Sequence, residues 1–174
     1  MNYLKLIASL LVITLSARGQ SSNGVQDNSS GIQQNHPSYI IFGVFCGECS
    51  SHCATMYHYN MMGNSNSLFV DSTDSYFKNY GKIIFKTAIS NNTKFQIVSK
   101  LVQRIPKAFL TTENTQQTFG CPDCTDGCGI YFKIGQGKTI KKFYIDYNTT
   151  ELDKEVKDFG EFVKETLRQL NKKN

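Results

Sequence analysis

The sequence predicts an α+β domain: an antiparallel, hairpin-built sheet with two helices packed on one face and disulfides that tether its parts. Three observations predict it: short β-branched and aromatic runs separated by turn residues, two amphipathic stretches at helical spacing, and six cysteines in two clusters. A sheet with one apolar face needs a cover of this kind. The predicted domain comprises residues 38–174, which is long enough for one hydrophobic core.

The first half of this domain carries strand signals. Residues 39–45 (YIIFGVF) are β-branched and aromatic, and they predict a strand that runs into the first cysteine cluster. Residues 54–62 alternate loosely, and the turn signal GNSN separates them from the apolar residues 68–70, which predicts a hairpin. Two shorter features follow, a single helical turn at residues 76–80 and a strand at residues 83–85.

The second half begins with the first amphipathic helix. Residues 93–105 place their apolar side chains on one stripe, and Pro106 disfavours helical geometry at the residue before it. A polar connection at residues 111–118 leads to the second cysteine cluster. Beyond it, residues 129–134 (GIYFKI) and 139–146 (TIKKFYID) flank the turn GQGK, which is the strongest hairpin signal in the chain.

The last predicted element is a helix from Thr150 to Leu170. Thr150 is the predicted N-cap, and Asp153 three places on makes a weak capping box. Apolar residues from Leu152 onward recur at intervals of three and four, while the opposite face is charged. We therefore expect this helix to pack one stripe on the sheet.

The first 37 residues predict export. Residues 2–5 carry one positive charge, residues 6–15 are apolar, and Ala17 and Gly19 are the small residues of a cut before Gln20. The apolar run is about half the length that a membrane span needs. Residues 1–19 are therefore a predicted signal peptide without a lipobox, and the polar residues 20–37 a flexible leader. The expected location is secreted or periplasmic.

The charge balance excludes one class of partner. Removing residues 1–19 takes away Lys5 and Arg18 and no acid, which leaves 17 basic and 14 acidic side chains. These charges are mild and interspersed, so we expect no nucleic-acid binding. The remaining chain contains no run long enough to cross a bilayer.

Both cysteine clusters have the spacing C-x2-C-x3-C, one as Cys46, Cys49 and Cys53 and the other as Cys121, Cys124 and Cys128. Exported thiols meet an oxidising compartment, so structural disulfides are the leading interpretation. Six thiols allow 15 connectivities, and the sequence does not choose among them. Because closing a long loop removes more unfolded-state entropy than closing a CxxC loop, we expect at least one bridge to join the two clusters.

Two other interpretations use the same cysteines. Cys46, Cys49, Cys121 and Cys124 could form an all-thiolate zinc site, which His52 could also enter, although oxidation in an exported protein weakens this hypothesis. A strand that runs into C-G-E-C also resembles the start of a thioredoxin-like redox site. Against that hypothesis, Glu48 would raise a neighbouring thiol's pKa, and the residues after Cys49 read as a strand.

Four segments resemble those of a family of small exported bacterial proteins whose function is uncharacterised. They read FCGECSSHCATMY, LFVDSTDSYF, RIPKAFL and FGCPDCTDGCGIY. The resemblance spans most of residues 40–170 and implies an export signal and an α+β domain. It brings no reaction, ligand or catalytic residue.

No other motif assigns chemistry. Asp123, Asp126 and Gly127 only faintly resemble a calcium loop, and the three histidines form no motif. The sequence contains no G-x-S-x-G, H-E-x-x-H, P-loop or G-x-G-x-x-G pattern, so we assign no catalytic residue, metal or cofactor. We therefore expect a non-catalytic exported domain with a structural or protein-interaction role, the latter toward an extracytoplasmic protein. A thiol-disulfide oxidoreductase or a Cys-ligated zinc protein remains the alternative.

Overall fold

A mixed seven-stranded sheet forms the centre of the computed structural model, which describes residues 36–62, 66–79, 81–122, 124 and 127–172. The predicted signal peptide and nearly all of the leader lie outside these residues. The strand order is β4-β3-β2-β1-β6-β7-β5. The strands are β1 (Tyr39–Cys46), β2 (Ala54–Asn60), β3 (Ser67–Asp71), β4 (Thr87–Ile89), β5 (Gln116–Phe119), β6 (Cys128–Gln136) and β7 (Thr139–Asp146).

Two antiparallel hairpins follow the sequence prediction. Strands β2 and β3 pair antiparallel, and β6 and β7 pair antiparallel around Gly137, whose φ is 58°. A left-handed residue at that turn is the conformation that glycine adopts most readily. Strand β1 joins the two hairpins, because it pairs antiparallel with β2 on one side and with β6 on the other. Residues 63–65 of the first predicted turn lie outside the described residues.

Strand β5 departs from the predicted all-antiparallel sheet. It overlaps the last three residues of the predicted polar connection, and it pairs parallel to β7. Its partly buried Phe119 stacks on Phe109, with ring centroids 5.4 Å apart, and Lys142 N donates to Thr115 O at 2.9 Å. These contacts are with residues distant in sequence, which is why the glutamine-rich segment gave no local strand signal.

The predicted strand at residues 83–85 is wrong. These residues have no strand partner; instead, Ile83 and Phe85 pack on the sheet surface, and Ile84 N donates to Ser75 Oγ at 2.9 Å. The strand of this region is β4, which pairs antiparallel with β3. The predicted single helical turn is present as α1 (Ser75–Lys78).

Helix α2 (Asn92–Gln103) agrees with the first predicted helix to within two residues at each end. Asn91 caps it, since its side chain accepts a hydrogen bond from Lys94 N at 3.0 Å. Pro106 then begins a short helix that the sequence did not predict, α3 (Lys107–Thr111). Its buried Phe109 stacks on Phe143 of β7 at 4.0 Å between ring centroids.

Helix α4 spans Lys154–Leu170, so the predicted N-cap at Thr150 is wrong. The Thr150 hydroxyl and backbone N–H both bond to the Asn148 side chain, which holds Thr150 in the preceding turn. Asp153 occupies the N-cap position without a side-chain cap bond. The predicted apolar stripe is nevertheless buried from Val156 to Leu170.

Two apolar clusters lie on the sheet. The larger joins strand residues such as Phe42 and Phe132 with buried residues of α2, α3 and α4. The smaller contains Ile41, Phe45, Ala54, Met56 and Tyr131, with Tyr76, Ile83 and Phe85 packed against it. Because side chains alternate along a strand, residues 40, 42 and 44 of β1 belong to the first cluster and residues 39, 41 and 45 to the second. No helix among the described residues is long and apolar enough to cross a membrane.

Candidate functional site

Three cysteines lie in a row across the end of the sheet. Cys46, at the end of β1, is the register partner of Cys128, at the start of β6. On the other side, Cys46 N donates to Cys53 O at 2.8 Å, one residue before β2 begins. The pairing of three neighbouring strands therefore brings together cysteines from both sequence clusters.

All six cysteines fall into pairs at disulfide distance. Cys46 pairs with Cys128, Cys49 with Cys53, and Cys121 with Cys124, with Cα–Cα distances of 4.0, 5.6 and 5.4 Å. The first pair joins the two clusters and is separated by 82 positions in sequence, whereas the other two are separated by 4 and 3. One pair thus links β1 to β6, and each of the others closes a short loop.

An aspartate far away in sequence holds the first cysteine loop. The Asp74 carboxylate accepts hydrogen bonds from His52 N and Ala54 N, each at 2.8 Å. His52 and Asp74 both have left-handed backbone conformations, with φ of 58° and 57°. Such conformations are uncommon for residues other than glycine, although Asp and His adopt them more readily than most, and the two charge-assisted hydrogen bonds stabilise the loop in this shape.

A second aspartate holds the other cysteine loop in the same way. The Asp146 carboxylate accepts hydrogen bonds from Cys121 N at 3.0 Å and from Asn148 N at 2.8 Å. Sequence reasoning missed both aspartates. Each lies 20 to 25 positions from an amide that it binds, so no local spacing revealed its role.

A groove of about 280 Å³ opens beside Cys46 and Cys53, between the end of the sheet and the last turns of α4. Its polar lining consists of His52, Thr55, Tyr147, Lys164, Arg168 and Asn171. Lys164 Nζ lies 2.6 Å from Glu161 Oε1 and donates to Tyr147 O at 3.1 Å. Arg168 holds Glu165 through two bonds of 2.6 Å, and these bonds lower the pKa of Glu165 to about 2. Both cations are therefore already neutralised by neighbouring acids.

The other candidates from the sequence do not join this site. His58 is half-buried against Tyr39 and Phe85, with ring centroids 5.3 and 5.2 Å away, and burial and, secondarily, the charge of Lys133 lower its pKa. Asp123 and Asp126 lie outside the described residues. In the described part of the chain, no three His, Cys, Asp or Glu side chains are placed to hold a metal ion. In particular, Cys46 faces Cys128 and not the other cysteines of the proposed zinc set.

Comparisons with known proteins add nothing to this geometry. No protein-family model matches the chain, and no curated protein or solved structure matches it either.

Proposed function

We propose that this protein is a non-catalytic exported domain with a structural or protein-interaction role, and that its cysteines are structural cross-links. The observation that carries the proposal is the pair formed by Cys46 and Cys128, which are register partners at the ends of the neighbouring inner strands β1 and β6. The remaining four cysteines are also paired at disulfide distance, so no described cysteine is left as a free thiol for chemistry.

The position of this pair fits a stabilising role. In the chain-entropy model, closing a loop across 82 positions removes about 4.5 kcal/mol of unfolded-state entropy, whereas loops across 4 and 3 positions remove about 2 kcal/mol each. The long-range pair therefore supplies most of the expected tethering. Three such pairs are typical of proteins that fold outside the reducing cytosol, which supports a secreted or periplasmic location.

We further infer that α2 and α4 cover one face of the sheet. The larger apolar cluster contains residues of both helices: Val98 and Leu101 of α2, and Phe159, Val163 and Leu167 of α4. Its strand residues are alternate residues of each strand, whose side chains share one face of the sheet. This arrangement leaves the opposite face for contacts with other molecules, apart from the part that Tyr76, Ile83 and Phe85 cover.

A thiol count on the exported protein tests the proposal. The protein is purified from the secreted or periplasmic fraction without reductant, denatured, and treated with an alkylating reagent before mass measurement. We expect no alkylation without reduction and six additions after it. A parallel insulin-reduction assay should give no turnover above that of a variant with all six cysteines replaced. Free thiols in the native protein, or strong thiol-dependent turnover, would contradict the proposal.

Thiol-disulfide exchange is the second candidate, and one observation favours it. Cys49 is exposed, and its partner Cys53 lies beside Cys46 in the groove described above. A thiolate of a reduced substrate protein would attack Cys49 Sγ and release the Cys53 thiolate. A second substrate thiolate would then attack the substrate sulfur of the mixed disulfide and release Cys49, so that two electrons pass from the substrate to the pair.

The surroundings of the pair argue against efficient exchange. A reactive cysteine needs a lowered pKa, usually from a nearby cation or helix N-terminus. The cations of the groove, Lys164 and Arg168, are each paired with a glutamate, and Cys49 and Cys53 lie in a loop between strands. Replacing Cys49 and Cys53 together by serine should therefore leave the insulin assay unchanged, and loss of a measurable rate in this variant would establish the exchange activity instead.

A further inference from the structure

The face of the sheet away from α4 carries an unusual pair of charges. Lys133 of β6 and Lys142 of β7 are direct register partners, and both are half-buried. Like charges directly opposite each other across two strands are destabilising. The three ion pairs of the described residues all lie on α4, so no described carboxylate neutralises either lysine. The fold therefore tolerates an electrostatic cost at this position.

Aromatic and apolar side chains surround the two lysines. Tyr131 and Tyr144 are the next register pair along the same face, with ring centroids 5.5 Å apart. On the other side, the Tyr39 ring lies over Gly135, where a Cβ atom would overlap it, and Lys133 Nζ is 5.7 Å from the centre of that ring. Tyr131 itself is buried, so the exposed surface, which we call the tyrosine–lysine face, consists of Tyr39, Lys133, Ile140, Lys142 and Tyr144.

Side chains from the segment after β3 cover only part of this side of the sheet. Tyr76 packs on Phe45 and Tyr131, with centroids 5.5 and 5.6 Å apart, and Phe85 packs on His58 at 5.2 Å. The buried apolar residues of α2, α3 and α4 belong to the larger cluster on the other face, and Ile140 is 44% exposed. Two opposed lysines that no described acid neutralises, beside aromatic and apolar side chains, form a surface that a bound acidic group would complement.

From this arrangement we propose that the tyrosine–lysine face binds an acidic segment of another protein, whose carboxylates pair with Lys133 and Lys142. The proposal rests on the interaction role proposed above and names the surface and partner for it. Charge complementarity identifies the partner: carboxylates would relieve the Lys133–Lys142 repulsion, and apolar groups beside them would cover Ile140 and the tyrosine rings.

Two other occupants fit this surface less well. A nucleic acid or acidic polysaccharide is bound by an extended row of cations, whereas this face offers two lysines flanked by apolar groups. The chain's own leader, residues 20–37, contains only one acid, Asp27, and so cannot neutralise both lysines. An acidic protein segment supplies both the charge and the apolar contact.

The test uses two short synthetic peptides and the complete mature protein labelled with ¹⁵N. One peptide alternates glutamate with valine and tyrosine, and the other has every glutamate replaced by glutamine. We expect the acidic peptide to shift the backbone amide signals of residues 131–144 and to leave those of α4 unchanged. Its affinity should fall with added salt, because the pairing is electrostatic. The glutamine peptide should cause much smaller shifts.

Matched variants decide whether the two lysines are responsible. The double variant K133Q/K142Q should weaken binding of the acidic peptide about tenfold or more. The double variant K100Q/K107Q changes the net charge equally at exposed positions of α2 and α3, and it should change binding by less than about twofold. The single variant K142E, which sets a carboxylate opposite Lys133, should also lose the acidic peptide while retaining its melting temperature, which separates lost binding from lost folding.

Several results would overturn the proposal: equal binding to K133Q/K142Q and K100Q/K107Q, amide shifts confined to α4, or tighter lysine-dependent binding of heparin or duplex DNA than of the acidic peptide. Self-association that only K133Q/K142Q abolishes would also overturn it, since the occupant would then be a second copy. If the protein is inactive toward insulin but binds no acidic peptide, this inference fails alone. Thiol-dependent turnover would instead contradict the proposed non-catalytic function.

Discussion

Replacing Cys46 and Cys128 together by alanine removes the pair that joins β1 to β6 and leaves the two short-range pairs in place. In the unfolded parent protein this pair closes a loop of 82 positions, and the substitution opens that loop. The entropy regained by the unfolded state should lower the free energy of unfolding by about 4.5 kcal/mol. For a domain of this size the melting temperature should fall by about 10–20 °C. Replacing both cysteines avoids an unpaired thiol, which could form wrong disulfides.

The matched control is the double variant C49A/C53A. Its loop spans only 4 positions, so the same model gives a loss of about 2 kcal/mol. Both variants and the parent protein are purified from the exported fraction and unfolded in urea, with the transition followed by circular dichroism and tyrosine fluorescence. Equal stability of the parent and C46A/C128A, or a larger loss in C49A/C53A, would refute the argument that the long-range pair provides most of the tethering.

Three further predictions concern individual residues. Gly43→Ala should destabilise the domain by more than about 2 kcal/mol in urea unfolding, because the added Cβ would overlap the carbonyl oxygen of Thr55 on the neighbouring strand; an unchanged transition would contradict the tight β1–β2 contact. Burial raises the pKa of Asp71, but hydrogen bonds from Ser75 and Thr73 outweigh this effect and lower it. The stability from Asp71 should therefore be complete at neutral pH and disappear as the pH falls below about 4, and Asp71→Asn should flatten that acid limb of the stability–pH curve. The pKa of His58, measured by NMR titration, should lie below the usual value of about 6.5, because burial and then the charge of Lys133 disfavour the charged form. The stability that depends on neutral His58 is therefore present above a pH of about 6.5 and is lost on acidification. A titration midpoint at or above 6.5 would show that His58 is not buried as described.

The sequence predicted the parts of the fold that depend on neighbouring residues. The hairpin of β6 and β7 was predicted because its strands are β-branched and its turn is glycine-rich, and both signals are local. The stripe of α4 was predicted for the same reason, but its start was not. Thr150 has the chemistry of an N-cap, yet the Asn148 side chain binds it in the preceding turn, and the helix begins at Lys154.

The features that failed to appear in the sequence depend on distant partners. Strand β5 is stabilised by β7 and by Phe109, which its glutamine-rich segment does not indicate. The candidate site also depends on residues that are distant from one another in sequence. Six cysteines were visible, but the pairing of Cys46 with Cys128 depends on the register of β1 against β6, and Asp74 reaches its amides from 20 or more positions away. Only the folded chain brings these groups together.

Peptide mapping under non-reducing conditions tests the central claim most directly. The exported protein is alkylated, digested without reductant and analysed by mass spectrometry, and the same digest is repeated after reduction. We expect a cross-linked peptide pair that contains Cys46 and Cys128, together with short-range links between Cys49 and Cys53 and between Cys121 and Cys124. Links confined within each cluster, such as Cys46 to Cys49, or alkylated Cys46 and Cys128 in the unreduced digest, would contradict it.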